Sequence, residues 1–129
     1  MKILIADDDK IFMSLMVDIL ADGKDEVLQA ENGLVAWERL QTEGADIAVL
    51  DVNMPEMDGV ELLKLIRGDE RFKNLPVLVL TIGFMAEDLV QRYDAAVTDY
   101  LTKPFEISAL QLKVKEMEQR ILKNPAAGG

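Results

Sequence analysis

Apolar residues fall along this chain in blocks, and each block ends at a polar side chain. Ile3-Leu4-Ile5-Ala6 is a short apolar run that stops at three aspartates. Ile47-Ala48-Val49-Leu50 is a second, stopping at Asp51, and Pro76-Val77-Leu78-Val79-Leu80 is a third, stopping at Thr81. Val27-Leu28-Gln29-Ala30 reads as a weaker strand, and a short strand near Asp99-Tyr100-Leu101 is closed by Lys103-Pro104. Continuous rather than alternating apolar strands are buried on both sheet faces, which means parallel strands covered by helices. Segments of helical composition lie between and after them, at 10–21, 34–42, 60–67, 86–94 and 106–122. Five strand–helix pairs predict a single α/β domain with a doubly wound, five-stranded parallel sheet.

The helices differ in how much apolar surface they offer. In the first, Lys10, Ser14 and Asp18 recur every fourth residue and leave one narrow polar stripe. Ile11, Phe12, Met13, Leu15, Met16, Val17, Ile19 and Leu20 then exceed what one sheet-facing stripe needs. The surplus predicts a docking surface, with deeper burial between neighbouring helices as the alternative. In the second, Leu34, Trp37 and Leu40 or Gln41 fall three or four apart. In the last, Ile107, Leu110, Val114, Met117 and Ile121 form the stripe expected to dock on the sheet. Turns are expected at Asp22-Gly23-Lys24, at Asn32-Gly33 and from Asn53 to Gly59. The residues from Asn124 onward stop the last helix, so the domain is expected to span 1–122, with 123–129 a tail or the start of a linker.

Composition narrows the chemistry. The 129 residues suit one domain, half of them apolar. Fourteen basic and 24 acidic side chains give a net charge of −10. Residues 1–105 carry 10 basic and 21 acidic groups, hence −11, whereas 106–129 carry 4 and 3, hence +1. An acidic body repels phosphate backbones, so direct nucleic-acid binding by this segment is not expected. With neither cysteine nor histidine, disulfides, thiolate catalysis and imidazole chemistry are all out of reach. No apolar run approaches the roughly twenty residues of a membrane helix. The opening Met-Lys-Ile-Leu-Ile-Ala-Asp turns acidic too soon for a signal peptide, so a cytoplasmic protein is expected.

What remains is carboxylate, hydroxyl, lysine and backbone. In an open parallel sheet all strand C-termini lie along one edge, and ligands bind there. The residues at those ends are Asp7, Asp8 and Asp9, then Asp51, Thr81 and Lys103. At ~4 Å and an effective dielectric near 20, each carboxylate pair costs about 4 kcal/mol in repulsion. Such a site calls for a cation held by oxygen ligands, and Mg²⁺ is the natural choice. With that charge and Lys103 neutralising the developing negative charge, a carboxylate can attack a phosphoryl group. The pattern therefore predicts phosphoryl transfer to an aspartate.

At these residues the chain resembles the receiver domain of two-component response regulators. The resemblance covers residues 1–122 and rests on four motifs taken in order. They are Ile-Leu-Ile-Ala-Asp-Asp-Asp, Leu-Asp51-Val-Asn-Met-Pro-Glu-Met-Asp-Gly, Leu-Thr81 and Asp-Tyr-Leu-Thr-Lys103-Pro104-Phe. It implies a flavodoxin-like (βα)5 fold with strand order 2-1-3-4-5. It implies that Asp51 is the phosphoacceptor, that Asp8 and the backbone carbonyl of Asn53 bind Mg²⁺ directly, and that Asp7 acts through water. Lys103 would pair with the phosphoryl group and Thr81 would hydrogen-bond it, with Tyr100 swinging inward after Thr81. A cis Lys103–Pro104 bond is also implied by the family alone. The phosphodonor would be a histidine kinase or a histidine phosphotransfer protein; if the surplus apolar surface of the first helix is a docking site, the partner's four-helix bundle would lie there, beside Asp51. Output, as a homodimer or toward an effector, would use the helix at 86–94, the fifth strand and the last helix. The chain would be a switch and no enzyme of external substrates, catalysing only its own phosphorylation and dephosphorylation.

Departures from the family pattern carry their own expectations. Ile82 stands where a small Ala or Ser follows the threonine, and its bulk should change phosphoryl lifetime. Ala96-Val97 replaces Gly-Ala and denies an easy left-handed turn. Phe84-Met85 is apolar in a predicted loop, either part of a partner patch or tucked in. Asp9 is the expected helix cap. A haloacid-dehalogenase-type phosphatase would need an acid two positions after Asp51, where Asn53 stands. A flavin-mononucleotide binder would need a Gly- and hydroxyl-rich loop where Asp7-Asp8-Asp9 would repel the phosphate. The remaining alternative is a phosphorylation-independent docking module on the same scaffold.

Overall fold

A computed structural model describes residues 1–20, 25–52, 57, 59–82 and 99–123. The expectations for Asp22-Gly23-Lys24, Asn53, the 86–94 helix, Phe84-Met85, Ala96-Val97 and the tail from Asn124 lie outside the described residues, as does the Ile82 side chain. The strands are β1 (Lys2–Ala6), β2 (Glu26–Ala30), β3 (Ile47–Asp51), β4 (Val77–Ile82) and β5 (Asp99–Lys103). The helices are α1 (Lys10–Leu20), α2 (Gly33–Glu43), α3 (Gly59–Gly68) and a C-terminal helix (Ile107–Lys123). All strand pairs are parallel and the order is β2-β1-β3-β4-β5, as the resemblance implies.

Strand pleating explains the two cores. Successive side chains point to opposite faces, so each apolar run feeds both. Leu4, Leu28, Ala48, Leu50, Val77 and Val79 meet α2 and α3 through Ala36, Leu40, Leu62, Leu63 and Ile66. Ile3, Ile5, Ile47, Val49, Leu78 and Leu80 meet α1 and the C-terminal helix through Met13, Met16, Leu20, Leu110, Val114 and Met117. Trp37 packs edge-on to Phe72, ring centroids 6.0 Å apart, at the outer margin of the first core.

Helical spacing was a poorer guide to which residues face inward. Leu34 is 44% exposed, while Ala36 and Leu40 are buried with Val35 and Trp37 packed beside them. Ile107 likewise lies outside the stripe that docks the last helix, being 45% exposed. In α1 the surplus divides. Phe12, Val17 and Ile19 are partly buried against the second core, whereas Ile11 is 85% exposed and Leu15 is exposed beside it.

Local polar groups end these elements. Asn32 caps α2, its Oδ1 accepting from Val35 N at 2.9 Å. The helix closes at Gly44, whose φ of 72° suits a residue without a side chain and whose N–H donates to Leu40 O. Asn32→Ala is expected to lower stability by about 1 kcal/mol, readable as a shifted urea midpoint at unchanged slope. Asn32→Ser, which keeps an acceptor, is expected to recover most of that loss.

Candidate functional site

The sheet edge at the strand C-termini is built by simple continuation of the pleat. Val49 points toward α1, so Asp51, two residues on, stands on that same side; Leu101 and Lys103 repeat the relation in β5. The strand ends are tied where they diverge, with Asp7 N donating to Ala30 O at 3.1 Å and Val52 N to Leu80 O at 3.1 Å.

Asp7 and Asp51 are buried, while Asp8 is exposed. One carboxylate oxygen from each of the three lies within 4.8 Å of the others. Lys103 reaches across from β5, its Nζ 3.4 Å from Asp7 Oδ2 and 3.5 Å from Asp51 Oδ1. Its side chain is only 30% exposed. Three carboxylates against one ammonium leave the cluster short of positive charge. An oxygen-only donor set of this span suits a hard divalent cation, so these aspartates can hold a metal ion.

Asp9 departs from its two neighbours. Its Oδ1 accepts from Ile11 N at 3.0 Å and Phe12 N at 3.1 Å, capping α1. Its own N–H donates to Asp7 Oδ1 at 2.9 Å, so the cap also orients the buried carboxylate. Thr81 is buried in β4, one residue past Leu80, which sits opposite Asp51 in the register. Tyr100 is 40% exposed on β5. Ile82 ends β4 opposite Lys103. The Lys103–Pro104 bond is cis.

Two positions do not stand out in the sequence. Gly59 opens α3 directly under the site, its N–H donating to Val52 O at 3.0 Å and its Cα facing the Asp51 carbonyl. A lone Gly after an Asp reads as an ordinary turn. By spacing Phe12 is one more of the surplus apolar residues of α1, yet its ring centroid lies 4.8 Å from Lys103 Nζ. The available signal was an aromatic three residues after the capping Asp9, on the helical turn nearest the strand ends.

The geometry has close counterparts. A model of the response regulator receiver domain matches residues 3–115. Chemotaxis protein CheY-3 of Vibrio cholerae is 38% identical over 122 residues, covering 94% of each chain. Chemotaxis protein CheY1 of Helicobacter pylori is 37% identical over 118 residues, covering 89% of this chain and 94% of its own. Among solved structures, chemotaxis response regulator CheY4 of Vibrio cholerae superposes with a TM-score of 0.82 at 32% identity, covering 90% of this chain and 97% of that one. The signal receiver domain of a signal transduction histidine kinase from Syntrophus aciditrophicus gives 0.84 at 29% identity, covering 93% and 91%. The family match runs from within β1 into the C-terminal helix and takes in the whole acidic cluster, and the chain belongs to the response regulator receiver domain family.

Proposed function

We propose that this receiver domain accepts a phosphoryl group on Asp51 from a partner histidine kinase or histidine phosphotransfer protein, with Mg²⁺ held by Asp8 and Asp51 and, through water, by Asp7. Receiver domains are signalling switches of two-component systems. The observation that carries the proposal is Asp51 itself, a buried carboxylate with Lys103 Nζ 3.5 Å away and two further aspartates at its side. A buried carboxylate in such company is placed for chemistry more than for solvation.

In this reading an Asp51 oxygen attacks phosphorus, a P–O bond forms, and the bond to the donor's nitrogen breaks with its electron pair leaving on the donor. The Lys103 ammonium pairs with a phosphoryl oxygen as charge builds on it. The Thr81 hydroxyl donates to another, drawing β4 inward, and Tyr100 follows from its exposed position. Bound Mg²⁺ supplies the remaining positive charge and a further oxygen-binding position. The backbone carbonyl of Asn53 is proposed as one more ligand. The resulting shift in a two-state equilibrium alters the face formed by β5 and the C-terminal helix, toward a second copy or an effector.

The donor is proposed to dock on α1, where Ile11 and Leu15 stand exposed beside Lys10, Ser14 and Asp18. Among the described residues no helix is long and apolar enough to cross a membrane, and we assign the domain to the cytoplasm, as residues 1–122 followed by a tail or linker.

Intact-protein mass after incubation with acetyl phosphate tests the reading. A gain of one phosphoryl group with Mg²⁺, and none without it, is expected. No adduct under either condition would favour a phosphorylation-independent docking module instead.

A further inference from the structure

We propose that Phe12 is a positioning residue for Lys103, holding its ammonium at the phosphoryl site through the face of the aromatic ring. The inference rests on the reading of Asp51 as phosphoacceptor and adds a residue on α1 to that chemistry.

Lysine carries a compact charge on a flexible four-carbon stem, and nothing in the stem itself fixes where the charge stands. Here Lys103 Nζ meets Asp7 at 3.4 Å and Asp51 at 3.5 Å, both longer than a tight charge-assisted bond. A third contact is aromatic. The Phe12 ring centroid lies 4.8 Å from Nζ, inside the range at which a ring's negative face attracts a cation.

The ring is held from two directions. Phe105 meets it edge-on, centroids 5.5 Å apart with planes at 71°. The backbone N–H of Phe12 is fixed by the Asp9 cap at 3.1 Å. Asp9, Phe12, Lys103, Pro104 and Phe105 line one open groove of about 370 Å³. Thus the chain that carries Lys103 returns two residues later to brace the ring beneath it.

The kind of contact matters for the step it serves. A carboxylate in place of the ring would compete with the incoming phosphoryl oxygens for the ammonium's three N–H donors. A ring face attracts the charge without requiring a particular donor direction. The amine can turn from Asp7 toward a phosphoryl oxygen while keeping this contact.

The test is to place phenylalanines with one, two or three ring fluorines at position 12 of the full chain. Each fluorine weakens the ring's hold on a cation with little change in shape. The rate of phosphorylation by acetyl phosphate is expected to fall stepwise, by about two- to fivefold across the series. The thermal midpoint and the Mg²⁺ affinity measured by calorimetry are expected to stay constant. Phe12→Leu should match the most fluorinated ring in rate, and Phe12→Tyr should stay near the parent. A flat series in a chain that still takes up phosphate would overturn the role of Phe12 and leave Asp51 untouched. A parent chain that takes up none would remove the Asp51 reading, and this inference with it.

Discussion

Asp51→Asn is expected to abolish the phosphoryl adduct, lowering the rate of uptake from acetyl phosphate on the order of 10³-fold or more, as loss of a nucleophile does. The amide keeps the shape of the carboxylate but has no anionic oxygen to attack phosphorus. The fold should not suffer. Asp7, Asp8 and Asp51 crowd against one ammonium, and removing one negative charge relieves repulsion while Lys103 keeps Asp7 at 3.4 Å. The thermal midpoint of the variant without Mg²⁺ is therefore expected to equal or exceed the parent's. That combination, lost chemistry in an undamaged fold, separates a phosphoacceptor from a structural aspartate. A phosphoryl group still appearing on the variant would assign the acceptor to another carboxylate.

A large loss of stability is expected from substitution of Gly59, which abuts the site itself. Two effects oppose each other when a methyl group is added there. Helix propensity favours Ala over Gly by up to about 1 kcal/mol. Against this, a Cβ at Gly59 would drive into the carbonyl oxygen of Asp51 and approach Val52 Cα at 3.0 Å. Both obstacles are backbone of the strand end that carries the site, so no side chain can turn away. Overpacking of this kind costs about 1–3 kcal/mol or somewhat more, and the steric term wins. Gly59→Ala is expected to lower the thermal midpoint by roughly 5–10 °C and to slow phosphoryl uptake by displacing Asp51. Gly68 ends the same helix with nothing within 4 Å of an added Cβ. Gly68→Ala should be neutral or slightly stabilising. Equal midpoints for the two variants would disprove the steric account.

The sequence made the sheet and the carboxylate edge legible for the same physical reason. A parallel strand buried on both faces must be apolar throughout, so the first polar residue marks where the strand runs out. Asp51 is the last residue of β3, Asp7 follows the last residue of β1, and Thr81 is the last but one of β4; all three are buried. Lys103 ends β5, whose other residues are only partly buried or exposed, and the Lys-Pro pair located it better than hydropathy did. Rotational phase was harder to read. A helix apolar on most sides has many possible inward faces, so spacing did not reveal that Ile11 faces water while Phe12 packs inward. Nor does spacing reveal contacts between residues far apart in the chain. The Phe12 ring meets an ammonium carried by Lys103, and Gly59 abuts the carbonyl of Asp51. Both became visible only once the sheet had brought the elements together.

The central place of β1 bears on how the chain survives its own synthesis. Ile3, Leu4, Ile5 and Ala6 are fully buried in the finished domain, between β2 on one side and β3 on the other. At ribosomal rates the stretch from Ala6 to Ile47 takes about 2–8 s to make. Throughout that interval an apolar, β-prone segment has no neighbour along one edge, the condition that favours association between nascent chains. Asp7, Asp8 and Asp9 follow it immediately. Charges set against an unavoidable apolar strand discourage its pairing with copies of itself. Asp7 and Asp8, which later gather at the sheet edge, and Asp9, which later caps α1, are thus placed to act first as gatekeepers for the strand that precedes them.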